Sequence, residues 1–207
     1  YARFTTMSHP TVFAVPMTAP AENFFFHCVK GMRILLVDNS SSGKSIHTPK
    51  LVNLLASLSV DVHVCETTDD MSRAVHPIAR HSWDAVVLSG SSLNMSQSLH
   101  TCQVSKDLLA LLQLSDVAVL GICFGMQLMA VANGGHVERL PKMHHETRRV
   151  TFDERSILGV PMQTSDAFFH HQDVVTRLPP NFMADAYDDG NVISMYSTDT
   201  HRFGVQF

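Results

Sequence analysis

The chain has 207 residues, enough for one domain that buries roughly 70% of its unfolded surface. It is 45% hydrophobic and 16% charged with a net charge of −4, which excludes a disordered or collagen-like chain and offers no basic footprint for nucleic acid or an anionic membrane surface. Cys28, Cys65, Cys102 and Cys123 stand far apart without a C-x-x-C pair, and no apolar run reaches the ~18 residues of a membrane helix, so the chain reads as a cytoplasmic protein with reduced thiols.

Residues 1–30 carry Pro10, Pro16 and Pro20 and the short apolar triplet Phe24-Phe25-Phe26 without a period, which predicts an irregular arm. A domain over 31–207 follows. Its first strand is the apolar run from Arg33 to Asp38, and a polar loop covers Asn39 to Gly43. Leu51, Leu54, Leu55 and Leu58 recur at helical spacing. Val60 to Cys65 alternates as a strand, and residues 69–80 fit a short helix. Ala85–Leu88 and Val117–Leu120 are four-residue apolar runs that suit strands buried on both faces. Between them Val104, Leu108, Leu111 and Leu112 mark a helix face. This alternation predicts an α/β fold with an open, largely parallel, flavodoxin-like sheet and helices on both faces. Beyond about residue 134 short alternating segments appear around Val150 and Phe152, Val192 to Met195, and Phe203 to Phe207. They predict hairpin strands forming an antiparallel extension at one edge.

The segment that carries chemistry runs from Val117 to Gln127. An apolar strand enters Gly121-Ile122-Cys123-Phe124-Gly125, and a helical stretch follows from Met126 to Ala132. Such a Gly-x-Cys-x-Gly turn between strand and helix is the pattern of a nucleophile elbow. Its glycines let the backbone pass close to itself, and its nucleophile sits at a helix N-terminus, where the dipole and free N–H groups favour a thiolate. The N–H of Phe124 is placed to donate to an oxyanion. The competing reading is a buried structural cysteine, the reading that suits Cys28, Cys65 and Cys102.

Four segments in order resemble the class I glutamine amidotransferases, whose glutaminase domain uses a Cys-His-Glu triad. Gly121 to Gln127 is similar to the G-x-C-x-G-x-Q nucleophile signature. Val87-Leu88-Ser89-Gly90-Ser91-Ser92 lies where the family has its oxyanion loop. His171-Gln172-Asp173-Val174-Val175 resembles an H-G-D-x-V segment near bound glutamine, and Phe203-Gly204-Val205-Gln206-Phe207 resembles the start of G-V-Q-F-H-P-E. The forms are most like the amidotransferase domain of GMP synthase and its stand-alone relatives. The resemblance implies that Cys123 attacks the side-chain amide of glutamine. Phe124, Gly90 and Ser91 would hold the oxyanion, and Gln127, His171 and Asp173 would bind substrate. It implies no cofactor. The partner it implies is a synthase, in the same chain or a separate one, that accepts the ammonia.

Three departures qualify this. Ser91 and Ser92 replace a Gly and a Pro, which strains the loop if position 91 needs a positive φ. His170 and Gln172 replace smaller residues and are expected to crowd the glutamine pocket. The family's triad His and Glu come after the segment that ends here at Phe207, so the chain is expected to be truncated inside the signature. His170 or His171 as a substitute base would require a nitrogen within hydrogen-bond reach of the sulfur. His144, His145 and Glu146 with His171 lack a coherent zinc-ligand spacing, since neighbours in a strand point to opposite faces. Asp38 to Ser45 ends like a phosphate-binding loop at Gly43-Lys44-Ser45, but Asp38 stands where its first glycine belongs, and a polar loop is the better reading. A catalytically inactive amidotransferase-like binding or regulatory domain, and a γ-glutamyl peptidase-type Cys hydrolase, remain open alternatives.

Overall fold

A computed structural model describes residues 30–40, 47–66, 83–98, 108, 112, 117–152 and 164–207. The expected arm over 1–30, the helix over 69–80, the loop through Gly43 and Lys44, and Cys28 and Cys102 thus lie wholly or almost wholly outside the described residues. Among the described residues nine strands form one mixed sheet: β1 (Arg33–Asp38), β2 (Asp61–Glu66), β3 (Ala85–Leu88), β4 (Ala118–Ile122), β5 (His136–Thr151), β6 (Thr164–Arg177), β7 (Met183–Asp188), β8 (Asn191–Ser197) and β9 (Arg202–Val205). The order is β2-β1-β3-β4-β9-β8-β6-β5, with β7 paired to β8. From β2 to β9 all neighbours are parallel, and from β9 to β5 all are antiparallel.

The period of two in β1 sends its apolar residues to both faces, and a helix covers each. Ile34 and Leu36 meet α1 (Thr48–Ser57) through Leu51, Val52 and Leu55. Leu35 and Val37 lie in the opposite cluster with Leu88, Val119, Leu108 and Leu112 and with α3 (Phe124–Ala132). A short helix, α2 (Met95–Ser98), contributes the buried Met95 to that side. Leu108 and Leu112 are helical and buried, as their spacing predicts, while Val104 and Leu111 fall outside the described residues. On α1 one expected position differs. Leu54 is 60% exposed, because at ~100° per residue it stands at the rim of the stripe that Leu51, Val52, Leu55 and Leu58 occupy.

The antiparallel extension is present, with one correction. The segment from Phe203 forms the expected hairpin with β8, but it does not lie at the outer edge of the sheet. As β9 it lies inside the sheet, parallel to β4 and antiparallel to β8, with Gly121 opposite Gly204. Gly204 explains the placement. A Cβ there would stand 2.8 Å from Cγ of Met126, so the bare backbone lets α3 lie directly across β9. A second, smaller core of Val150, Phe152, Ala167, Phe169, Ala186 and Ile193, with Phe207 against it, sits in the antiparallel part.

Candidate active site

Cys123 forms the one-residue corner between β4 and α3, with φ 51° and ψ −107°. A side chain held at positive φ is strained by about 1–3 kcal/mol, and the surroundings must impose it. They do so through the backbone: Cys123 N–H donates to Val205 O at 2.7 Å, and Gln127 N–H donates to Cys123 O at 3.1 Å. The flanking glycines are required by contact. A Cβ on Gly121 would stand 2.6 Å from Gly125 O, and one on Gly125 would collide with the backbone and Cβ of Leu88. The expected elbow is therefore present in its backbone geometry.

The state of the sulfur differs from expectation. Burial pushes the Cys123 thiol up to about 11; the Phe124 N–H and the Gln206 amide oppose this, and the Asp173 carboxylate adds to it. The helix N-terminus does not win, because removing the thiolate from water costs more than the donors return. Near neutral pH the group is a thiol. The side-chain hydrogen bond to it comes from Gln206, whose Nε2 donates to Sγ at 3.3 Å.

Gln127, Asp173 and His171, separated widely in sequence, are brought together and buried. Gln127 Nε2 donates to Asp173 O at 2.7 Å and to Gln206 Oε1 at 3.0 Å. The Asp173 carboxylate accepts from Ser96 N–H in α2 at 2.7 Å through Oδ2, while its buried Oδ1 has no partner among the described residues. His171 Nδ1 lies 3.1 Å from Asp173 O, which makes Nδ1 the protonated nitrogen, and Nε2 is buried without a partner among the described residues. Burial lowers the His171 pKa below the usual imidazole value, so the ring is neutral at pH 7.

Gly90 lies against Cys123, since a Cβ on it would be 3.6 Å from Cys123 Cβ. Ser91 is not among the residues with positive φ, so the expected loop strain is absent. Its hydroxyl instead accepts from Leu93 N–H at 3.1 Å. The expected crowding by His170 and Gln172 is also absent, because strand alternation turns both away from the side of His171 and Asp173. Gln172 accepts from Arg139 at 2.7 Å and donates to Leu140 O at 3.1 Å. His170 is exposed and pairs with His145, Nδ1 to Nδ1, at 2.7 Å. His144 faces His171 on the other side of the hairpin, so the four histidines divide into two pairs. Among the described residues no group of three or more His, Cys, Asp or Glu could hold a metal ion, and no helix is long and apolar enough to cross a membrane.

Gln206 is a site residue to which the motif resemblance assigns no role. A signal for it is present in the sequence. Arg202, Gly204 and Gln206 alternate along the last strand and beyond it, and a polar residue on an inward period is a buried polar group in need of partners.

The family model for glutamine amidotransferase class-I matches residues 35–207. The GMP synthase (glutamine-hydrolysing) of Petrotoga mobilis is 25% identical over 178 residues, covering 84% of this chain and 32% of that protein. That of Ectopseudomonas mendocina is 30% identical over 193 residues, covering 87% and 34%. The chain thus spans about a third of the length of these curated relatives. Among solved structures, a GMP synthase-type protein from Thermoplasma acidophilum superposes with a TM-score of 0.70 at 22% identity, covering 86% of this chain and 83% of the other. A glutamine amidotransferase from Methylobacillus flagellatus gives 0.64 at 18% identity, covering 86% and 70%. At these identities the structural likeness shows the shared fold.

Proposed function

Because this chain belongs to the class-I glutamine amidotransferase family, we propose that it is a glutaminase domain in which Cys123 attacks the side-chain amide of glutamine. The sulfur bonds to the amide carbon, the N–H of Phe124 and the backbone at Gly90 and Ser91 hold the oxyanion, and C–N cleavage releases ammonia. Water then cleaves the thioester and frees glutamate. Asp173 Oδ1 and His171 Nε2 are buried and unpartnered among the described residues, and both suit substrate contacts: an anionic acceptor for the α-ammonium and a neutral acceptor for an N–H. Gln127 holds the segment that carries them.

The observation that carries this reading is the strained corner at Cys123, with Gly90 packed against it. A non-glycine residue at positive φ between strand and helix is a costly arrangement that a merely structural cysteine does not need. The thiol proton still needs an acceptor. In the family pattern that acceptor is a histidine in the position after the phenylalanine that corresponds to Phe207. The ammonia then goes to a synthase, in the same chain or a separate one, as the names of the relatives suggest. A reducing cytoplasm suits the thiol of Cys123.

The test is covalent labelling by a glutamine-like electrophile, read by peptide mass spectrometry, together with a glutaminase assay. Labelling at Cys123 that glutamine suppresses, and that Cys123→Ala removes, is the expected result. A longer form of the protein, continuing past Phe207, that neither labels nor hydrolyses glutamine would favour the inactive binding domain. The raised thiol pKa is the observation on the side of that second reading.

A further inference from the structure

We propose that Gln206 is a positioning residue for the nucleophile, with Gln127 fixing the orientation in which its amide faces the sulfur. The proposal rests on Cys123 as the nucleophile and adds a device that sets its ionisation and direction. Both amide hydrogens of Gln127 are used, one on Asp173 O at 2.7 Å and one on Gln206 Oε1 at 3.0 Å. A carboxamide whose oxygen is held this way must turn its NH2 group the other way, and that group donates to Cys123 Sγ at 3.3 Å. The backbone is tied as well. Gln206 N–H donates to Ile193 O at 2.9 Å, and Cys123 N–H donates to Val205 O at 2.7 Å. The backbones on either side of the sulfur–amide contact are thus held, Cys123 against β9 and Gln206 against β8.

The chain of bonds from Asp173 through Gln127 and Gln206 to Cys123 is buried at each glutamine, where hydrogen bonds are strong and misoriented amides are costly. A donor facing the sulfur favours the charged form and counteracts desolvation. It also fixes where the sulfur points, which decides whether it can approach the carbonyl carbon of a bound amide from one face of the amide plane. The chain links β6, which bears His171 and Asp173, to the nucleophile. Movement of that segment on binding a ligand would thus reach the thiol through two side chains.

The test measures iodoacetamide alkylation of Cys123 by peptide mass spectrometry, as a function of pH, in the wild-type chain and in Gln206→Glu and Gln206→Leu. This readout does not depend on glutamine hydrolysis, so failure of the glutaminase reading leaves it intact. In Gln206→Leu the donor is lost, and the rate at a fixed pH below the thiol pKa falls about two- to tenfold. In the near-isosteric Gln206→Glu an acceptor with negative charge replaces the donor, and the fall is larger. Gln127→Leu, which frees the Gln206 amide to rotate, gives a smaller fall in the same direction. A role in stability alone would lower the melting temperature of the variants without displacing the pH–rate line. If Gln206→Leu unfolds the chain, Gln206→Glu decides. A folded Gln206→Glu variant that is alkylated as fast as the wild type overturns the proposal.

Discussion

In the parallel half of the sheet, β1, β3 and β4 bury both faces beneath helices, whereas in the antiparallel half the β5–β6 hairpin runs 16 and 14 residues and leaves most of one face to solvent. Parallel strands need crossover connections, and the helices in those connections exclude water from both sides. The hairpin needs no such cover. Cys123 belongs to the first environment, at the carboxyl end of β4, where ligand sites of open α/β sheets lie. His171 and Asp173 belong to the second, reaching the same place from β6. One half therefore supplies a rigid, strained corner, and the other supplies polar groups that complete it.

The comparison breaks most severely at Gly125. The parallel half depends on α3 and β3 touching backbone to backbone, and any Cβ at Gly125 must enter Leu88. Gly125→Ala is expected to cost more than ~4 kcal/mol or to prevent folding, read by denaturant titration. The antiparallel half offers a matched pair of adjacent phenylalanines. Phe169 is fully buried and Phe168 is 54% exposed. Phe169→Ala is expected to cost about 3–5 kcal/mol, and Phe168→Ala under ~0.5 kcal/mol. Equal effects would mean that the hairpin has no inner face.

The pH dependence separates the halves again. The Cys123 thiol has its folded pKa raised from 9.0 to about 11, so above pH 9 the unfolded chain releases a proton that the folded chain keeps. Stability that is whole below pH 9 is then lost as pH rises toward 11, by roughly 2 kcal/mol, and Cys123→Ala removes that slope. His171 carries the opposite sign. Its folded pKa lies below 6.5, so stability present above pH 6.5 falls on acidification, and His171→Asn removes that loss. Thermal denaturation across pH 5 to 11 checks both expectations.

The two halves also differ in how much of them the sequence makes legible. Apolar runs reveal β1, β3 and β4, because burial on both sides disfavours polar residues there, and helical spacing reveals α1 through its single packed stripe. The elbow is legible for a similar reason: Gly121 and Gly125 answer to steric contacts that admit only glycine. The hairpin faces are harder. Motif spacing puts His170 and Gln172 in the pocket, and only the register of β6 sends them outward. The bonds joining Gln127 to Asp173 and Gln206 span 46 and 79 residues. No local period encodes such a pairing. The same holds for the thiol pKa, since the helix N-terminus is visible in the sequence and the desolvation that overrides it is a property of the packed surroundings.

The smallest expected effect tests the strain itself. Glycine in place of alanine ordinarily destabilises a folded position by about 0.5–1 kcal/mol, through the extra freedom it gives the unfolded chain. At φ 51° and ψ −107° the sign reverses, since a Cβ is strained there and glycine is not. Cys123→Gly is therefore expected to be more stable than Cys123→Ala by about 1 kcal/mol, with neither variant labelled by a glutamine-like electrophile. Both variants lack the sulfur, so its burial and pKa cancel between them, and the difference reports the backbone strain set against the packing of one Cβ. If Cys123→Ala proves the more stable of the two, the corner is relaxed, and strain no longer marks Cys123 as a functional residue. If the glycine variant wins, the parallel half holds Cys123 at a cost to its own stability, offset by its two-sided core.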